Sequence, residues 1–141
     1  MPDKILAILK YAIIDEYLPI ALSAMKTIIY YESIPDQLFK YIFKALQTSD
    51  LKLNDQISIV LQKFIKNASH LFELLNYSQN YIMFNKKAFR SLLLAFFNSA
   101  LSLSNLESFR ELLENSEWEF NYKEMCLREI DTYQKLLLRS I

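Results

Sequence analysis

The chain contains no glycine, where an average usage of about 7% would place roughly ten in a sequence of this length. Glycine is the default residue wherever the backbone needs positive φ, so tight β-hairpin turns, phosphate-cradling loops and dinucleotide fingerprints all lose their usual residue together. Helices do not share that need. They can be joined without glycine when proline opens them and Ser, Asn or Asp caps them, and Pro2, Pro19 and Pro35 are spaced for this use. The expected fold is all-α, a single domain over residues 1–141 with about seven or eight short to medium antiparallel helices.

At 141 residues the chain is near the usual size of one domain and can bury about two-thirds of its extended surface, enough for a core without staples. Lys+Arg and Asp+Glu both number 16, so the net charge is zero and no long-range field concentrates nucleic acid or an anionic membrane. The lone Cys126 rules out an intramolecular disulfide and a multi-cysteine zinc site, which fits a reducing, cytoplasmic setting. Near the N-terminus, Ile5 to Leu9 form an apolar run that Lys10 interrupts, shorter than the roughly 7 to 15 residues of a secretory h-region. No stretch reaches the roughly 18 to 20 apolar residues of a membrane span. The sequons at Asn67 and Asn76 are accordingly expected to stay unmodified.

Helical periodicity recurs between the prolines. Pro2 opens a first helix whose positions Ile5, Leu6, Ile8, Leu9, Ala12 and Ile13 form one face up to about Tyr17. Pro19 ends it and opens a second, with Leu22, Met25, Ile28 and Ile29 inward. Pro35 leads a third through Leu38, Phe39, Ile42, Phe43 and Leu46. Asn54 is expected to cap a fourth helix bearing Ile57, Val60, Leu61, Phe64 and Ile65. Asn67-Ala68-Ser69 then marks either a break or a polar turn. Periodicity leaves open whether 67–85 is helical, and the longest irregular segment is expected within 76–85.

Asn85 caps the most hydrophobic helix, about residues 86–102, apolar around so much of its circumference that it must be covered on more than one side. Ser104-Asn105-Leu106-Glu107 has the form of a capping box for the next helix. The last helix, from 118 or 122 to 140, carries Cys126, Ile130, Tyr133 and Leu137 on one face. Glu124, Arg128, Asp131 and Lys135 lie opposite, with acid-first pairs at four-residue spacing. The prolines recur at 17 and then 16 residues, a hairpin period near that of α-hairpin solenoids, although the sequences within it do not repeat. A compact bundle and an irregular α-hairpin solenoid both fit.

The chain offers little catalytic chemistry. His70 has no second histidine, no Glu-x-x-His pair exists, and Cys126 falls on an apolar stripe, so no catalytic, cofactor-binding or metal site is assigned. Surplus hydrophobicity points instead to a non-catalytic protein–protein interaction module, an adaptor or a subunit of a larger assembly that binds another protein or itself. Tyr11 and Ile14 fall toward the charged side of the first helix, Tyr30 and Tyr31 adjoin a turn, and Leu127 and Leu138 flank the polar face of the last helix. These six are the candidate partner-binding residues. The alternative is a nucleic-acid-associated helical protein in which Lys86, Lys87 and Arg90 form a local basic patch near Tyr77 and Tyr81.

Overall fold

The computed structural model describes residues 1–48, 50–79, 83–98 and 102–139. Among them are eight α-helices and no strand: α1 (Asp3–Ile13), α2 (Leu18–Ile29), α3 (Phe39–Ala45), α4 (Leu51–Phe64), α5 (Ala68–Ser78), α6 (Lys86–Phe96), α7 (Leu103–Glu114) and α8 (Phe120–Arg139). A short 3₁₀ turn, Asp36–Leu38, leads into α3. None of the described residues has positive φ. Without glycine, the turns among the described residues are made at negative φ alone.

Side-chain caps do the work that glycine does elsewhere. Asp50, Asn67 and Asn85 each accept a backbone N–H three residues on, from Leu53, His70 and Ala88, all at 2.8 Å. Each such cap contributes about 1 kcal/mol. Glu119 accepts from Asn121 and Tyr122 N–H ahead of α8, and those two bonds hold its carboxyl below the usual range. Pro19 sits in the first turn of α2 as expected.

Several expected boundaries shift. Helix α1 stops at Ile13 rather than near Tyr17, because the Asp15 carboxylate takes the Tyr17 N–H at 2.7 Å and turns the chain before α2. Asp50 rather than Asn54 caps α4, which leaves Asn54 inside the helix with a buried Oδ1 that has no partner among the described residues. Asn67 is a true break, and α5 then runs to Ser78. Of the expected irregular segment, residues 80–82 lie outside the described residues, while 83–85 are not helical. Helix α6 ends at Phe96, with Phe97 leaving it in a non-helical conformation. The expected capping box does not form: Ser104 lies within α7, and its carbonyl accepts from Ser108 Oγ.

The helices stack in two rows. Helix α1 packs on α3, α3 on α5 and α5 on α7; α2 packs on α4, α4 on α6 and α6 on α8. The rows approach each other closely at both ends, through α1 with α2 and α7 with α8. The architecture is therefore a compact all-α bundle of two rows, joined directly by the α1/α2 and α7/α8 pairs at its ends. At the α1/α2 end, Ala12, Ala21 and Ala24 allow the close approach. In the middle, a chain of phenylalanines fills the space between the rows: Phe39 on Phe43, Phe43 on Phe84, Phe84 on Phe89 and Phe89 on Phe109, with ring centroids 5.7–6.5 Å apart.

Helix α6 lies between α4 and α8 in its row, as its hydrophobicity requires, and Phe89 and Leu92 are fully buried. Ser91 is only half-buried, its hydroxyl turned back to the Lys87 carbonyl. Leu92→Ala should therefore cost about 2–5 kcal/mol, and Ser91→Ala less than about 0.5. Urea denaturation checks this; equal midpoints for the two variants would contradict the burial of this face.

Candidate functional site

The six candidate partner-binding residues do not converge. Tyr11 is exposed on α1, Tyr30 is exposed just past α2 with Tyr31 half-buried beside it, and Leu138 is exposed near the end of α8. Ile14 and Leu127 are half-buried against the core, and Ile14 lines a cavity of about 300 Å³ with Asp15, Lys44 and Leu53. Helices α1 and α2 form one end of the stack while α8 packs on α6 and α7 at the other. One patch cannot include both ends.

The proposed basic patch is partly neutralised. Glu129 of α8 is only 5% exposed, and it takes both arms of the Arg90 guanidinium, at 2.6 Å from Nε and 3.3 Å from Nη2. Lys86 Nζ lies 3.7 Å from the same carboxylate. A buried carboxylate needs such partners, because an unpaired charge taken out of water is costly. The hydrogen bond and the nearby charge of Glu129 raise the Arg90 pKa above its ordinary value. Of the three cations, Lys86 and Arg90 are thus committed to clamping α6 onto α8.

That clamp divides the α6/α8 groove. On one side a polar hollow of about 390 Å³ is lined by Lys86, Phe120, Glu124, Met125 and Arg128. On the other, Leu93, Leu94, Tyr133 and Leu136 wall an apolar slot of about 110 Å³, with Arg90 and Glu129 at its border. Leu94 is 60% and Leu136 51% exposed, so the slot opens to solvent. The slot is far smaller than the roughly 300–1,000 Å³ of a cofactor pocket, and suits a single apolar side chain. The Tyr133 hydroxyl donates to the Phe97 carbonyl, which fixes the tyrosine wall. Neither Leu94 nor Leu136 was among the candidates; their signal was excess, a leucine left over once each helix had filled its inward stripe.

The residues most capable of chemistry are engaged in structure. His70 Nδ1 accepts the Lys66 backbone N–H at 3.1 Å, and Nε2 lies 3.6 Å from Asp36 Oδ1. Cys126 is fully buried, and burial pushes its thiol up to about 12, with the Tyr122 hydroxyl drawing it the other way. Among the described residues no group of three His, Cys, Asp or Glu side chains could hold a metal ion. No helix among them is long and apolar enough to cross a membrane.

The buried thiol and phenols set an alkaline limit. Burial raises the Tyr122 and Tyr133 hydroxyls above their ordinary values as well. At neutral pH the folded and unfolded chains both hold these protons, so stability is complete. Above the ordinary thiol value of 9.0 the unfolded chain ionises while the folded thiol stays neutral until about 12, and stability falls across that window. The urea midpoint should be flat from about pH 7 to 8.5 and fall by about pH 10.5, less steeply in Cys126→Ser. A profile that stays flat or rises in this range would contradict the burial of these groups.

No protein-family model, no curated protein and no solved structure matches this chain.

Proposed function

We propose that the protein is a non-catalytic helical interaction module, an adaptor or subunit that receives an apolar side chain from a partner protein in the α6/α8 slot. The observation that carries this reading is the slot itself, four apolar walls of which Leu94 and Leu136 are more than half exposed, bordered by the Arg90–Glu129 pair. Interfaces concentrate their energy where an apolar or aromatic anchor enters a small pocket while a polar rim excludes water. The polar hollow beyond the clamp, with Lys86, Glu124 and Arg128, offers hydrogen-bonding groups of both signs along the same groove. An amphipathic helix laid along α6/α8 would meet the slot with one anchor and the hollow with its polar flank. The buried Cys126 fits an intracellular, reducing setting.

The test is capture of a partner from an extract of the native host by the wild-type chain and by Leu94→Asp and Leu136→Asp variants. Both side chains are exposed, so the fold tolerates the change, whereas a carboxylate in the slot should weaken capture at least about tenfold, on the order of 1.4 kcal/mol. Fluorescence anisotropy with single- and double-stranded oligonucleotides runs in parallel and should show no binding at about 150 mM salt. Capture that survives both substitutions, or steeply salt-dependent oligonucleotide binding lost in Lys87→Ala, would overturn the proposal.

A further inference from the structure

We propose that His70 is a pH-responsive helix cap: on taking up a proton its ring releases the α4/α5 turn and holds the 3₁₀ turn at Asp36 instead. His70 is the only histidine in the chain, and imidazole is the side chain whose ordinary titration falls between about pH 5 and 8. What this ring holds is therefore held conditionally.

The neutral ring closes a reciprocal cap. Asn67 stands just ahead of α5 and its Oδ1 accepts the His70 N–H at 2.8 Å, while His70, in the first turn, reaches back with Nδ1 to accept the Lys66 N–H at 3.1 Å. A capping box has the same form, with Glu or Gln at the third helical position supplying the returning acceptor. Here a group that can lose its lone pair stands there. The Ile65 N–H still bonds to the Leu61 carbonyl at the end of α4, and the Lys66 N–H that follows is the one His70 satisfies.

Protonation moves that tether. Nδ1 accepts only while it carries no proton, and the imidazolium donates from both nitrogens, so no rotation of the ring gives the Lys66 N–H its acceptor back. The charge also falls in the first turn of α5, where the positive end of the helix dipole opposes a cation. Nε2 gains what Nδ1 loses. It stands 3.6 Å from Asp36 Oδ1, and a charged donor strengthens and shortens such a contact. The imidazole is only 18% exposed and meets the Phe39 ring edge-on, so the ring stays between its two tethers. The other charged groups lining the same hollow, about 380 Å³, are Glu32 from the connection after α2, Lys63 of α4 and Lys66 of the turn. Lys63 gives its ammonium to the Ile29 carbonyl, and Glu73, the next acid along α5, is exposed. Asp36 is the carboxylate paired with the ring.

Heteronuclear NMR on the full chain reads both tethers, and a single histidine makes the imidazole signals unambiguous. At about pH 8 a scalar coupling across the hydrogen bond should connect the Lys66 amide nitrogen with His70 Nδ1, and at about pH 5 that coupling should be lost. The Lys66 amide shift and the Asp36 carboxyl carbon shift should both follow the imidazole titration between these limits. In His70→Gln, which keeps an acceptor that does not titrate, the Lys66 amide shift should stay constant over the same range. A Lys66 amide that ignores the imidazole titration, one that moves equally in His70→Gln, or an Asp36 carboxyl carbon that does not register the titration would each overturn the proposal.

Discussion

The contact on which the rest of the structure depends is the layer of phenylalanines between the two helix rows. Phe39, Phe43, Phe84, Phe89 and Phe109 touch ring to ring from α3 to α7, and Phe97 closes on Phe109 at 5.6 Å. Rings of this size hold the rows apart in the middle, while alanines let them close at the α1/α2 end. Because the rings face inward between rows, each helix spends its apolar stripe on that layer and on its row neighbours. Apolar residues beyond those two demands, such as Leu94 and Leu136, are left on the surface, and they are where binding is proposed.

Much of the fold is legible in the sequence because it rests on local rules. The missing glycines make positive φ improbable, and the described backbone has none. Asn85 and the proline-led start of α2 are read correctly from residue type and spacing. The failures are also local, and each has a competitor. Asp50 stands four residues ahead of Asn54 and captures Leu53 N–H first, so α4 starts early. Glu119 caps α8 although it is not a favoured cap residue, because its longer side chain reaches two backbone donors at once. Phe97 continues the apolar periodicity of α6 but leaves the helix and buries against Phe109, and periodicity alone does not separate the two; Ala100 and Leu101, which extend the pattern, lie outside the described residues.

The candidate site is less legible because its residues meet across long sequence separations. Lys86, Lys87 and Arg90 read as a basic cluster until Glu129 is placed beneath them, and nothing near residue 90 announces a partner 39 positions away. Asp131 illustrates the same limit on α8: spacing pairs it with Lys135, while the fold hands it to Arg110 of α7. Glu124 does meet Arg128 at 3.9 Å, since that pair needs only one helix. Tyr11, Ile14, Leu127 and Leu138 stand out by position on one helix each, and Tyr30 and Tyr31 by an adjoining turn, while which of them share a surface depends on the row topology. The hairpin spacing hints at that topology without specifying it.

The two-row stack is tested most directly by aromatic NOE spectroscopy on a sample with assigned phenylalanine rings. Ring–ring cross peaks should link Phe43 with Phe84 and Phe89 with Phe109, whose centroids lie 5.7 and 6.4 Å apart, joining α3 and α7 of one row to α6 and the Phe84 that precedes it in the other. Absence of both sets would contradict the inter-row layer and the two-row packing built on it.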